Sequence, residues 1–138
     1  MALTKLDMDR IIEEHFGYEA SDDVEGVLST LAEDVVHDIV GNPTGPTYGP
    51  ENTRPFYEKL FADISDGKVT CVKRLYGENF LVDESIWEGL APGEPFGIKG
   101  EGRPLKFRIL HIIEFTEDKL IKRENVWMDM GAILQQLQ

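Results

Sequence analysis

Cysteine is nearly missing from this chain. Cys71 is the only one in 138 residues, so no intramolecular disulfide can form and the core alone must hold the fold. A reducing, cytoplasmic setting is the matching expectation. Long apolar runs are missing as well, which excludes a membrane-spanning helix. The opening stretch Met-Ala-Leu-Thr-Lys-Leu-Asp turns acidic and amphipathic at once, unlike the apolar centre of a secretion signal. Positive charge is scarce: 14 Lys and Arg stand against 26 Asp and Glu, a net charge of −12. Such a field repels phosphate backbones and anionic lipid, so neither nucleic acid nor a membrane surface is an expected partner. Histidine is confined to positions 15, 37 and 111, with no His-x-x-x-His or paired-cysteine spacing that would suggest a metal site. No serine has a Gly-x-Ser-x-Gly setting. Neither a metal nor a cofactor is implied.

What is present is ordinary for a globular protein. Apolar residues make up 41% and charged residues 29%, far from the composition of a disordered chain. The length predicts one domain over residues 1–138, able to bury about 70% of the surface that the unfolded chain exposes.

The hydrophobic period divides the chain in two. Thr4 and Asp7 form a capping box, followed by Met8, Ile11, Ile12 and His15 at helical spacing. A second helix is expected from Ser21-Asp22-Asp23 to about Ala32, and a third from Pro50 to Asp66-Gly67. Between them the β-branched run Val35–Val40 reads as a short strand, closed by a loop rich in Gly, Pro and Thr. From Val69 onward the period is two. Strands are expected over 69–76, 79–87, 106–115 and 120–127, forming an antiparallel meander, and Asp129 caps a short final helix. The stretch Gly89–Pro104 reads as a long loop, expected to act as a mobile flap. Helices preceding a sheet make an α+β fold: a curved antiparallel sheet wrapped on three N-terminal helices, with a short C-terminal one. A pocket inside that curve is the expected site.

Strand parity sorts the candidates. His111 shares a face with Phe107, Ile109, Ile113 and Phe115 and therefore points inward, as a catalytic group or as a core histidine bonded to a buried partner. Asp38 lies mid-strand with Val36 and Val40 on its own face. A carboxylate among apolar neighbours has its pKa pushed upward, as a general base near neutrality requires. His37 then faces the other way, and the inverted register would instead place Asp38 on the solvated side. His15 and Tyr18 on the first helix can offer hydrogen-bond donors at the cavity floor. Phe56, Tyr57, Phe80, Trp87, Phe96, Phe107 and Trp127 are candidate lining residues, although aromatic residues at such spacing also build cores.

The run Val-Val-His-Asp-Ile-Val-Gly-Asn-Pro-Thr-Gly at 35–45, then Arg54-Pro-Phe-Tyr57, resembles the NTF2-like superfamily, in particular its ketosteroid isomerase and SnoaL-like polyketide cyclase branches. The tail Asp118-Lys-Leu-Ile-Lys-Arg-Glu-Asn-Val-Trp-Met-Asp129, followed by Ile133-Leu-Gln-Gln-Leu137, is similar to the SnoaL-type ending. The resemblance covers nearly the whole chain. It implies that Asp38 stands where the isomerases carry their base, that His15 and His111 replace the two oxyanion donors, and that the position of the cyclase acid falls near Asn125 or Val126, where this chain lacks the acid. Ketosteroid isomerase is also the source of the general scheme of one carboxylate base facing two donors. The implied function is cofactor-independent acid/base chemistry, isomerisation or cyclisation, on a small apolar carbonyl compound. A dehydratase and a non-catalytic binding protein are the alternatives. A homodimer through the outer sheet face is also implied.

Overall fold

The computed structural model describes residues 2–138. Helix α1 (Lys5–Ala20) starts on the expected capping box, in which Thr4 Oγ1 accepts from the Asp7 amide and Asp7 accepts from the Thr4 amide. Helix α2 (Val24–Ser29) is shorter than its sequence pattern, because the chain already extends into β1 (Leu31–Ile39). After β2 (Thr47–Tyr48), α3 (Pro50–Asp63) leads into β3 (Ser65–Gly77), β4 (Phe80–Ala91), β5 (Arg103–Phe115), β6 (Ile121–Met128) and α4 (Met130–Gln136). The strands form one open sheet in the order β2-β1-β6-β5-β4-β3. The fold class is α+β as expected.

Three features depart from the sequence expectation. The sheet is mixed, because β1 joins β6 in parallel while the β3–β6 meander is antiparallel. The loop after β1 folds back as β2, pairing Val36 with Tyr48 and His37 with Thr47. The stretch 89–104 is not a free flap. Strands β4 and β5 run on to Ala91 and Arg103, and the connection between them is tied down by its own backbone. Gly93 and Glu94 amides donate to the Asp63 carbonyl and carboxylate at 3.1 Å, and the Gly100 amide donates to Gly93 at 2.9 Å. The Arg103 guanidinium reaches the carbonyls of Lys99, Gly100, Leu137 and Gln138. Backbone groups so satisfied leave little reason to open.

Two apolar clusters hold the layers together. Ile12, Val27, Val35, Tyr57, Leu81, Ile113 and Ile121 join α1, α2 and α3 to the sheet. Trp87, Leu105, Phe107, Ile133 and Leu137 join α4 to the far half of the meander. Each fully buried aliphatic side chain contributes roughly 1.5–3 kcal/mol, enough in sum for a disulfide-free domain.

Candidate active site

A cavity of about 640 Å³ opens between β1, the loop that follows it, α3 and the Pro95–Gly97 turn. Ile39, Phe56, Leu60, Phe96 and Met128 give it apolar walls, and Asn52, Lys59 and His37 are among its polar groups. His37 connects the cavity to a buried polar cluster.

At the centre of that cluster is Glu124 on β6, 2% exposed. Its Oε1 accepts from the Tyr57 hydroxyl at 3.1 Å and lies 3.1 Å from His37 Nε2, which is itself 3.2 Å from the same hydroxyl. Parallel pairing places His37 beside Glu124 in register, and α3 delivers Tyr57 from above. Glu124 Oε2 lies 3.3 Å from Nε2 of His15, and Glu19 Oε2 lies 2.8 Å from that same nitrogen, one helical turn along α1. The other ring nitrogen of His15, Nδ1, is 2.8 Å from Thr30 Oγ1. Thr30 gives its hydroxyl hydrogen to the Val27 carbonyl at 2.6 Å, so Nδ1 must be the donor of this pair.

Charges in this dry setting act strongly on one another. Burial opposes an imidazolium at His15, but the Glu124 and Glu19 carboxylates outweigh it and push the pKa up to about 10. Burial likewise opposes a Glu124 carboxylate, and His15 and His37 together still hold it well below the usual range. Tyr57, buried and next to Glu124, is held well above the ordinary phenol value. The cluster therefore keeps a carboxylate, an imidazolium and a neutral phenol together.

The expected site residues are distributed over several places. His15, Tyr57 and Phe56 lie in or beside this cluster and cavity. Asp38, the expected base, does not: Val35, His37 and Ile39 form the inward row of β1, and Asp38 sits with Val36 on the opposite face. Parity alone was ambiguous because Val35-Val36 and Ile39-Val40 offer an apolar residue to either face. A register irregularity between Leu31 and Val36 also breaks the count from the strand start. Asn125 and Trp127 alternate with the buried Glu124 and Val126 and face outward, Trp127 being 37% exposed. Tyr18 lies over Gly26 and donates to Glu14 at the surface. Phe80 is exposed and covers Gly77. Trp87 and Phe107 stack on each other in the second core cluster, away from the large cavity.

His111 does point inward but belongs to a different network. Its Nδ1 lies 3.5 Å from Oδ1 of the buried Asp83, too far for a good hydrogen bond. Asp83 instead accepts from Ser85 Oγ at 2.5 Å and Arg74 Nε at 2.8 Å, and Arg74 continues to Asp9 at 2.8 Å. Burial works against a charged Asp83, but contacts from His111, Ser85 and Arg74 outweigh it and hold the carboxyl down at about 2. This network clamps α1 onto β3 and β4.

The sequence profile of the SnoaL-like polyketide cyclase family matches residues 7–137. The chain belongs to that family. No curated protein matches it. Among solved structures, TsrD from Streptomyces laurentii superposes with a TM-score of 0.83 at 20% identity, covering 98% of this chain and 97% of that one. An LEH-like epoxide hydrolase from M. tuberculosis gives 0.74 at 14% identity, with 96% and 85% covered. A hypothetical protein with a ketosteroid isomerase-like fold from Catenulispora acidiphila, solved with trimethylamine, gives 0.74 at 16%, with 92% and 91% covered. At these identities the likeness concerns the fold. Within this SnoaL-like chain, Glu124, His37, Glu19 and Thr30 were missed from the sequence. Glu19 is four residues after His15 and shares its helix face, a readable signal. Glu124 lay hidden one residue before the positions that the resemblance indicated.

Proposed function

We propose that this SnoaL-like protein is an acid/base enzyme that removes and returns a proton next to the carbonyl of a small apolar substrate, with His37 as the base. The observation that carries this reading is the grip on His37 Nε2: Glu124 Oε1 at 3.1 Å and the Tyr57 hydroxyl at 3.2 Å, both buried, on a histidine that lines the large cavity. A carboxylate beside Nε2 keeps the hydrogen on that nitrogen and leaves the lone pair on Nδ1, the arrangement that orients an imidazole base. Glu124 also stabilises the imidazolium formed when the proton is taken. On the α3 wall, Asn52 Nδ2 donates to the Tyr48 carbonyl at 2.7 Å and Lys59 Nζ is paired with Asp63 at 2.6 Å, so a substrate oxyanion would draw on their remaining hydrogens. The proton step itself requires no cofactor. A binding protein with no chemistry is the competing reading, and it predicts ligand stabilisation alone.

The test is deuterium exchange at the α-carbon of a panel of cyclic ketones and enones, followed by NMR. Exchange by the wild-type protein that falls at least about 100-fold in His37→Gln but persists in Asp38→Asn supports the proposal. Exchange that survives His37→Gln, or thermal stabilisation by the panel with no exchange in any variant, overturns it. We also propose that two copies pair through the outer sheet face, where Trp127 is 37% exposed beside Leu110 and Asn125.

A further inference from the structure

The two oxygens of Glu124 have unequal surroundings. Oε1 is occupied by Tyr57 and His37, whereas Oε2 has no hydrogen-bond partner among the described residues even though the side chain is 2% exposed. Orphaned buried oxygens are rare and call for an explanation. This one converges with two other groups: His15, Glu19 and Glu124 each offer a ligand atom within 4.8 Å of the others, and Oε2 of both carboxylates faces Nε2 of His15.

The tautomer of His15 suits a ligand. Thr30 can only accept from Nδ1–H, so the proton that a cation would displace is the one on Nε2, and its loss turns that lone pair toward the two carboxylates. Holding the outer nitrogen of a metal-binding histidine in this way is what fixes ring orientation at such sites. A proton on Nε2 balances only one of the two negative charges, and its single direction leaves Glu124 Oε2 unbonded. A divalent cation balances both and has no such direction. Atoms bound to one ion at about 2.0–2.2 Å stand roughly 3–3.5 Å apart. The Nε2 to oxygen separations here are 2.8 and 3.3 Å. Glu19 is partly exposed and lines a small crevice with Phe16, Leu60 and Trp87, which offers a route from solvent.

We propose that His15 Nε2, Glu19 and Glu124 form a binding site for a divalent first-row transition-metal ion, Zn²⁺ or Mn²⁺ in class. An imidazole joined to two carboxylates suits such ions better than Mg²⁺ or Ca²⁺, which favour oxygen alone. The site adjoins the proton step through Glu124. Glu124 would hold the ion through Oε2 and His37 through Oε1, and the proposal stands or falls without regard to the role of His37.

The experiment is calorimetric titration of chelator-treated protein with ZnCl₂ and MnCl₂, MgCl₂ serving as control, together with thermal melts and the visible absorption of the Co²⁺ form. The expected result is one ion per chain and a melting temperature raised by about 5 °C or more at roughly 100-fold excess over Kd. A visible Co²⁺ band is also expected, and Glu19→Gln should weaken binding at least about 10-fold. Glu19 is at the surface end of the cluster, so this variant should fold. Thr30→Val, which removes the acceptor for Nδ1, should weaken binding without removing a ligand. No saturable binding to the wild type, or binding unchanged in Glu19→Gln, overturns the proposal.

Discussion

The distinction between His37 and Asp38 carries most of the functional reading, and it rests on which of two neighbouring side chains a strand turns inward. Side chains on a strand alternate, so a slip of one residue exchanges the cavity-lining group for an outward one. His37 is buried against Tyr57 and Phe56, with ring centroids 5.4 and 5.0 Å apart. Asp83 shows the same sensitivity in energetic form. Its carboxyl is held at about 2 against an ordinary value of 3.8, so it binds protons more weakly folded than unfolded. Its contribution is complete above about pH 4 and disappears as pH falls through 2, an effect on the order of 2 kcal/mol. The stability difference between the wild type and Asp83→Asn, measured by urea unfolding, should therefore shrink between pH 5 and pH 2. A difference that stays constant over that range would remove the carboxylate from this role.

At the scale of elements, the connection between β4 and β5 illustrates what composition misreads. Gly and Pro density implied a flap, but the backbone is bonded to Asp63 at the end of α3 and supplies Pro95, Phe96 and Gly97 to the cavity wall. The fit is close at Gly93, where an added Cβ would stand 2.6 Å from Asp63 Oδ1 and 2.8 Å from Asp63 Cα. Backbone at that distance cannot rotate away. Gly93→Ala should lower stability by roughly 1–3 kcal/mol with an unchanged denaturant slope. A neutral result would mean that the connection moves freely after all. The helices and the meander were legible because their apolar periods are long and regular. β2 was not, since a two-residue strand has no period and exists only because β1 offers it a partner.

For the whole molecule, the net charge of −12 and the one cysteine narrow what to expect of partners and chemistry without locating a site. The outward faces of β5 and β6 belong to this scale. Trp127 there is a large aromatic side chain that the monomer leaves 37% exposed. Trp127→Glu should convert a dimer to a monomer in analytical ultracentrifugation with its melting behaviour otherwise retained. A wild-type protein that sediments as a monomer at tens of micromolar would exclude the proposed pairing.

The sequence alone determined the α+β order of elements, the inward direction of His111 and the family resemblance, because periodicity and motif are local properties of the chain. Only the tertiary structure decided the site. Glu124 meets His37 through a parallel pairing that no local pattern encodes, and His15 joins them by packing of α1 against the sheet. The absence of His-x-x-x-His spacing excluded a metal only for ligands drawn from one helix. His15-x-x-x-Glu19 became a candidate once a distant strand placed a third ligand, with one oxygen unpartnered, beside it.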